Sequence, residues 1–270
     1  MRRIVHLSDL HFGRVDEVLL QPLLDRVQAL APHVVVVSGD LTQRARTREF
    51  EQARAFLARL PKPQVVVPGN HDVPLYNVFD RFLRPLTKYR RYIERDLDPL
   101  VQDEQVAVLG VNTARSLVAK NGRINQRQMA EVQRALCKLG PEVTKIVVTH
   151  HPFDLPDSAE GEDLVGRAEQ AMAVFAQCGV DVLLAGHFHT SHSQDSGARY
   201  PQAGYEALVV AAGTATSTRG RGEANSFNLL RVQKGLVEVE RFEWMPERVG
   251  FHAAGVQRFE RAQRGWRPLA

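Results

Sequence analysis

The feature that most constrains this fold is an alternation of short Val- and Ile-rich runs with longer amphipathic segments. Each run is flanked by turn residues, as buried strands are. The runs are Ile4–Leu7, Val34–Val37, Val65–Val67, Val106–Val111, Ile146–Thr149 and Val182–Ala185. Apolar residues three and four positions apart predict helices between them, over Leu19–Ala31, Arg48–Leu60, Gln126–Leu139 and Leu164–Gln177. The alternation predicts an α/β fold with a largely parallel core.

The last third of the chain has a different pattern. Three apolar runs with short turns, Ala207–Ala212, Asn225–Val232 and Leu236–Phe242, predict successive antiparallel strands. A basic, Tyr-containing helical stretch over residues 74–100 interrupts the earlier alternation, and we expect it to cap the loop before it. We therefore expect one domain over residues 1–245 that includes this cap, followed by a basic C-terminal extension over residues 246–270.

Composition excludes several classes of protein. The chain has 270 residues, 44% hydrophobic and 24% charged, and no run approaches the roughly 18 apolar residues that span a bilayer. The N-terminus lacks the apolar stretch of a signal peptide. The only cysteines, Cys137 and Cys178, fall within apolar helical patterns and are interpreted as unpaired core residues of a reducing compartment. We expect a cytoplasmic protein that does not insert into membranes.

The net charge of +4 is mild, but its distribution is uneven. Basic residues concentrate in Arg81–Arg95 and Arg241–Ala270. Such stretches are usually solvated surface, although either one suits contact with an anion such as a nucleic acid. The sequence leaves both interpretations open.

Polar residues follow five of the predicted strands, at the point where each strand ends. These residues are Asp9 and His11, then Asp40, then Asn70, His71 and Asp72, then His150, and finally His187 and His189. Because the carboxyl ends of strands in open α/β sheets share one edge, the five segments are expected to meet there. If Asp9 and His11 lie on extended chain, their side chains point the same way.

The donor types in this set indicate a metal site. Carboxylate, carboxamide and imidazole groups without thiolates favour Mn, Fe, Zn or a similar divalent ion, and seven donors exceed what one four-coordinate ion uses. Two ions roughly 3.5–4 Å apart are the usual arrangement for attack on a phosphate ester. Gly39, Gly69 and Gly186 precede donors, where a missing Cβ allows close approach of the chain.

The ordered set Asp9-x-His11, Gly39-Asp40, Gly69-Asn70-His71-Asp72, His150 and Gly186-His187-x-His189 resembles the calcineurin-like binuclear metallophosphoesterases over residues 4 to about 215. The resemblance implies a four-layer α-β-β-α sandwich in which helices flank two mixed β-sheets. It implies one ion held by Asp9, His11, Asp40 and His189, and a second held by Asp40, Asn70, His150 and His187, with Asp40 bridging.

The same resemblance implies a mechanism in which a hydroxide shared by the two ions attacks phosphorus without a covalent intermediate. His71 would stabilise phosphoryl charge or protonate the leaving oxygen, with Asp72 orienting its ring. His151 neighbours His150 and is the alternative ligand there, although the family pattern favours the first of the pair. His192, Arg219 and Arg221 are candidates for substrate contact or ordinary loop residues.

Within this family, the run Asn70 to Leu75 and the His150-His151-Pro152 run look most like bacterial class III cyclic-nucleotide phosphodiesterases and their glycerophosphodiesterase relatives. This likeness implies a small phosphodiester substrate, cyclic AMP first, with broad acceptance of other diesters. The alternatives are a glycerophosphodiesterase, a nuclease that uses the basic stretches, and a non-catalytic scaffold. A scaffold normally lacks ligands, whereas all seven are present in this sequence. Relatives of this kind commonly form dimers or larger assemblies, so we expect a homo-oligomer.

Overall fold

A computed structural model describes residues 1–75, 77–116, 121–154, 164–187, 192–195, 205–218, 222–263 and 265–269. The strands in chain order are β1 Arg2–Leu7, β2 Val34–Ser38, β3 Gln64–Val67, β4 Leu100–Gln102, β5 Val106–Gly110, β6 Thr144–Val148, β7 Val182–Ala185, β8 His192–Asp195, β9 Leu208–Ala211, β10 Ser226–Gln233, β11 Leu236–Met245, β12 Gly250–Arg261 and β13 Trp266–Leu269. The helices are α1 Glu17–Ala29, α2 Thr47–Leu57, α3 Val78–Leu83, α4 Thr87–Tyr92, α5 Gln126–Leu136 and α6 Ala168–Cys178.

The strands form two mixed sheets. The first has seven strands in the order β13-β12-β11-β10-β1-β2-β3, and the second has six in the order β4-β5-β6-β7-β9-β8. Strands β1, β2 and β3 run parallel, as do β5, β6, β7 and β9, while β10 to β13 add antiparallel strands to the first sheet. The carboxyl ends of the parallel strands therefore lie at one edge of each sheet.

Alternating side chains of the strands build three apolar layers. Ile4, Val36, Val108, Ile146 and Val210 belong to a layer that draws on both sheets, which places the sheets face to face. The opposite face of the first sheet packs against α1, α2 and α4, and that of the second packs against α5 and α6. This is the four-layer arrangement that the sequence resemblance implies, and that prediction is confirmed.

Local sequence explains where several helices begin and end. Asp16 caps α1 by accepting a hydrogen bond from Val18 N, and Asn125 and Gln128 form a reciprocal capping box on α5. Gly179 ends α6 in the left-handed conformation, with a φ of 64°. All four predicted helices are present, with ends that differ by a few residues.

The last third of the chain departs from the expectation of consecutive antiparallel strands. Strand β9 joins the second sheet beside β7 and runs parallel to it. Residues 246–269, expected as an extension, contribute β12 and β13 to the first sheet, and β12 pairs with β11 along almost its whole length. The pairing of β9 depends on a partner more than twenty residues earlier, which local pattern does not reveal.

The segment over residues 74–100 contains two short helices, α3 and α4. Tyr89 of α4 is fully buried and donates a hydrogen bond from its hydroxyl to Val66 O of β3, in the first sheet. In contrast, α3 exposes Phe79, Phe82 and Leu83. The second half of the segment is thus part of the core, and only the first half is free to act as a cap.

The two cysteines are paired, so the interpretation of Cys137 and Cys178 as unpaired core residues is wrong. A disulfide joins them across α5 and α6, with Cα atoms 4.1 Å apart. The two helices pack against each other on the same face of the second sheet, which brings their C-terminal ends together. The cytoplasmic location rested partly on unpaired thiols and stays a prediction without that support. Among the described residues, no helix has the length and apolar character needed to cross a membrane.

Candidate metal centre

The predicted donors converge at the carboxyl ends of parallel strands from both sheets. Asp9, Asp40 and Asn70 follow β1, β2 and β3 of the first sheet, and His150 and His187 follow β6 and β7 of the second. The side chains form two groups, Asp9, His11 and Asp40 in one, and His150, His151 and His187 in the other. Within each group, the possible ligand atoms lie within 4.8 Å of one another. Each group comes from one sheet, so the centre lies across the junction between the sheets.

The first group is completely buried. His11 Nε2 lies 3.4 Å from Asp9 Oδ1 and 3.6 Å from Asp40 Oδ2. Asp9 Oδ2 accepts a hydrogen bond of 2.6 Å from Ser8 Oγ, which fixes the orientation of that carboxylate. Two carboxylates and an imidazole held this closely offer the oxygen and nitrogen ligands that first-row divalent ions prefer.

The second group meets the first through Asp40. His150 Nε2 lies 3.4 Å from Asp40 Oδ1, 3.1 Å from Asn70 Oδ1 and 3.2 Å from His187 Nδ1. The backbone N–H of His187 donates to Asp9 Oδ2 at 3.2 Å. Asp40 therefore has one oxygen beside His11 and the other beside His150, which is the position a bridging carboxylate requires.

Glycines let the two sheet edges approach this closely. A Cβ on Gly39 would lie 2.6 Å from His150 Nδ1, and Gly39 has a φ of +92° that side chains disfavour. A Cβ on Gly186 would overlap Ser8 Oγ and lie 2.8 Å from Asp9 Oδ2. Gly39 belongs to the first sheet's loops and Gly186 to the second's, so the close approach is reciprocal. The space that a Cβ would fill is occupied by the possible ligands His150 and Asp9 and by Ser8, which holds the Asp9 carboxylate.

The backbone of the donors is strained. Asp9, His11, Asp40 and His187 have φ values of 55°, 49°, 51° and 78°, in the left-handed region. Such conformations cost free energy for residues with a Cβ and persist where surrounding structure imposes them, often at functional sites. The expectation that Asp9 and His11 alternate along extended chain is wrong, because β1 ends at Leu7 and both residues lie in the loop beyond it.

Hydrogen bonds orient the imidazole rings. His150 Nδ1 donates to Ser38 O at 2.8 Å, so its Nε2 carries the lone pair that faces Asp40 and Asn70. His71 Nδ1 donates to Gln43 O at 2.8 Å, and its Nε2 lies 4.0 Å from Asp40 Oδ2. The His71 side chain is 25% exposed, whereas that of His150 is fully buried. His71 is thus beside the donor cluster but open to incoming molecules.

Asp72 supports the loops, which corrects the expectation that it orients His71. Its carboxylate accepts hydrogen bonds from Gly69 N, Leu41 N, Thr42 N and Thr42 Oγ1, at 2.9–3.1 Å. Gln43 O makes the contact to the His71 ring instead. Burial, followed by the nearby Asp40 charge, raises the pKa of Asp72 to about 6, against the opposing effect of its hydrogen bonds. Asp72 therefore ties the loops after β2 and β3 together.

The electrostatics of Asp40 favour the ionised form. Burial acts to raise the pKa of this carboxyl, but His150, His11 and His71 around it lower the pKa below its ordinary value in total. An ionised carboxylate beside imidazoles and a carboxamide is a suitable donor set for divalent ions. The residues present therefore fit two metal ions, with Asp40 shared.

Several predicted residues cannot be placed. His189, Arg219 and Arg221 lie outside the described residues, and His192 begins β8, where only its backbone is described. Sequence reasoning missed Ser38 O and Gln43 O, because a backbone carbonyl leaves no signal in residue type. It also passed over Thr113, whose Oγ1 lies 2.8 Å from His151 Nδ1. The signal for Thr113 is its place just after β5, at the same edge as the other donors.

Many arginines of the C-terminal basic stretch are paired with carboxylates. Arg241 contacts Glu223 and Glu243, Arg258 contacts Glu238, Arg261 contacts Asp181 and Arg267 contacts Glu260. In the earlier stretch, Lys88 Nζ donates to Ala45 O and Arg81 to Pro74 O. The ion pairs favour the interpretation of the C-terminal stretch as solvated, internally compensated surface.

Comparisons with known proteins agree with this geometry. A family model described as calcineurin-like phosphoesterase matches residues 2–191. The chain is 28% identical over 168 residues to the glycerophosphodiester phosphodiesterase GpdQ of Enterobacter lignolyticus, covering 56% of this chain and 58% of that protein. It is 27% identical over 206 residues to the 3',5'-cyclic adenosine monophosphate phosphodiesterase CpdA of Escherichia coli K12, covering 69% of each. This chain thus spans less than two thirds of the length of the first relative.

A solved structure supports the same fold. A dimetal phosphatase from Danio rerio superposes with a TM-score of 0.68 at 13% identity, covering 93% of this chain and 98% of that one. At that identity the likeness concerns the fold alone.

Proposed function

The chain belongs to the calcineurin-like phosphoesterase family, and from this premise we propose that it is a metal-dependent phosphodiesterase acting first on 3',5'-cyclic nucleotides such as cyclic AMP. One observation carries the proposal: a single carboxylate, Asp40, lies between His11 of one sheet and His150 of the other. A shared carboxylate between two sets of oxygen and nitrogen donors suits a pair of ions acting on one phosphoryl group.

Each donor has an assigned place in this proposal. Asp9, His11 and His189 would hold one ion, Asn70, His150 and His187 would hold the other, and Asp40 would be shared by both. Mn, Fe, Zn or a mixture of them suits these donors. Two such ions, when bound, neutralise charge on the phosphoryl oxygens and lower the pKa of water.

His71 is the imidazole available to the substrate. Its Nδ1–H is engaged with Gln43 O, so Nε2 is the atom that can reach a phosphoryl or leaving-group oxygen. Donation from Nε2 requires the protonated ring. His71 thus stabilises charge on the phosphoryl group or passes a proton to the departing alkoxide.

Chelation and two substitutions test the assignment. Dialysis against EDTA should abolish hydrolysis of a bis-aryl phosphate, and added Mn²⁺ should restore it. Asp40→Ala should remove activity together with bound metal, whereas His71→Ala should lower kcat by about 10²–10⁴-fold with metal retained. Full activity in protein shown by elemental analysis to be metal-free contradicts the proposal.

The choice of ester rests on local likeness and on the relatives' names. CpdA is named for cyclic AMP and GpdQ for glycerophosphodiesters, and both names support a diester rather than a monoester. A panel of cyclic nucleotides, glycerophosphodiesters, phosphomonoesters and single-stranded DNA, assayed with Mn²⁺, ranks these candidates by kcat/KM. A glycerophosphodiester with the highest kcat/KM would replace cyclic AMP as the preferred substrate.

Nuclease and scaffold functions have separate tests. A nuclease grips a phosphate backbone with cations, so its binding to single-stranded DNA falls steeply with salt. The ion pairing of the C-terminal arginines argues against that grip. A scaffold needs no metal, so two ions per chain in the purified protein argues for an enzyme.

We further propose a homo-oligomer, a cytoplasmic location and a domain spanning residues 1–245, with residues 246–270 as an extension that adds β12 and β13 to the first sheet of that domain. In the described part of the chain, β13 pairs with β12 only over Arg258–Arg261, which leaves the outer edge of residues 250–257 open to another strand. Light scattering with size-exclusion chromatography measures the assembly, and a monomer at micromolar concentration contradicts it.

A further inference from the structure

We propose that His151 is an additional imidazole ligand of the metal centre, acting beside His150 and His187 on the second sheet's side. This inference rests on the proposed two-ion function and extends its ligand set. Family resemblance offers His151 only as a replacement for His150. The geometry instead brings the three imidazoles together, with possible ligand atoms of all three within 4.8 Å of one another.

Burial separates His151 from the imidazole that faces the substrate. His151 is 1% exposed, like the buried donors His11 and His150, whereas the His71 side chain is 25% exposed. The His151 ring centroid lies 4.9 Å from those of both His150 and His187. A buried imidazole packed against two donor imidazoles is placed for the same ion rather than for an incoming ester.

The ring of His151 is anchored through Nδ1, as the rings of His150 and His71 are. Thr113 Oγ1 lies 2.8 Å from His151 Nδ1 and also accepts the backbone N–H of His151 at 3.3 Å. When Nδ1 donates to this hydroxyl, Nε2 carries the lone pair that a metal needs. This arrangement repeats the contact between His150 Nδ1 and Ser38 O with a side-chain acceptor.

A glycine makes room for the His151 ring. Gly122 has a φ of +61°, and a Cβ there would overlap His151 Nδ1 and lie 2.6 Å from His151 Cγ. The same relation holds between Gly39 and His150, one of the proposed ligands. Two adjacent histidines are therefore each held against a glycine of left-handed backbone, which fixes both rings within the centre.

Metal binding, rather than turnover, tests the inference. Metal-stripped protein is titrated with Co²⁺ while visible absorption is recorded, and Mn²⁺ content after dialysis is measured by elemental analysis. Thr113→Val is nearly isosteric and should weaken the affinity for one of two ions by about 10- to 100-fold. His151→Ala should weaken it at least as much and change the Co²⁺ spectrum, while Thr113→Ser should restore wild-type affinity.

His71→Ala is the matched control, because it removes a neighbouring imidazole that is not a proposed ligand. It should leave the affinity for both ions within about threefold of wild type. Two wild-type affinities and an unchanged Co²⁺ spectrum in folded His151→Ala or Thr113→Val overturn the inference and leave the two-ion proposal intact. Wild-type protein that binds no Co²⁺ or Mn²⁺ overturns both.

Discussion

A methyl group added at Gly39 should damage the metal centre more than its effect on the backbone explains. Gly39 has a φ of +92°, and the Cβ of an alanine there would lie 2.6 Å from His150 Nδ1, 2.7 Å from Cγ and 2.8 Å from Cβ. Ordinary van der Waals contact begins at 3.4 Å, so the ring must retreat by about 0.8 Å. Rotation of the ring does not relieve the clash, because His150 Cβ lies next to the main chain.

Two costs follow from Gly39→Ala. The left-handed backbone costs about 1–2 kcal/mol for a residue with a Cβ, and the forced displacement adds about 1–3 kcal/mol of overpacking. The ring also moves away from Ser38 O and Asp40, although metal ligands tolerate only about 0.2 Å. We therefore expect at least a tenfold loss of affinity for the ion that His150 contacts.

Gly222 provides the matched control. Its φ is +91°, and a Cβ there would meet nothing within 4 Å, so Gly222→Ala carries the backbone cost without the clash. Urea unfolding of metal-free protein should show Gly39→Ala less stable than Gly222→Ala by about 1–3 kcal/mol, and metal titration should show the affinity loss in Gly39→Ala alone. Equal stability and equal metal affinity in the two variants would refute the steric reasoning.

Three further predictions concern residues outside the ligand set. Burial lowers the pKa of His6 to about 3 against a raising effect from Asp9, so between about pH 6.5 and pH 3 the unfolded chain binds a proton that the folded chain does not. In EDTA, the free energy of unfolding should therefore fall by up to about 1.4 kcal/mol per pH unit from pH 6.5 toward pH 3. Urea unfolding of His6→Asn should show a shallower dependence of stability on pH. Cys137→Ser removes the disulfide between two cysteines 41 residues apart, and should lower the free energy of unfolding by up to about 4 kcal/mol without reductant and by little in its presence. Two reactive thiols in denatured, unreduced wild-type protein would contradict the pairing. Asp72→Asn keeps one acceptor oxygen and replaces the other with a donor, so two of the four hydrogen bonds are lost, and we expect a cost of about 1–3 kcal/mol in thermal or urea unfolding. An unchanged stability would show that Asp72 does not tie the loops.

The core strands could be predicted because their residues are buried on both faces. Runs such as Val34–Val37 are continuous, β-branched and bounded by turns, and β2 differs from that prediction only by Ser38. The strands that the sequence does not predict are those in which apolar residues form neither a continuous run nor an alternation. Strand β12 is exposed over residues 253–258, so neither alternation nor an apolar run marks it, and β4 has only three residues.

The candidate centre was predictable in its residue types and only partly in its geometry. Asp9, Asp40 and His150 are recognisable because each follows a strand that ends at the shared edge. The left-handed backbones of Asp9 and Asp40, and the carbonyl that orients the His150 ring, depend on contacts between the sheets, which no local preference encodes. The pairing of Cys137 with Cys178 likewise arises from the packing of α5 on α6, far apart in sequence.

Because each sheet contributes its own group of donors, the spacing between the two groups is a mechanical property of the whole sandwich. Any sliding of one sheet over the other displaces His150 relative to Asp40 by the same amount. The apolar side chains between the sheets, Val36, Val108 and Ile146 among them, therefore set the spacing between the two groups of donors. Removal of a methyl group from this layer, well away from any donor, would therefore change the activity only by changing the spacing between the donors.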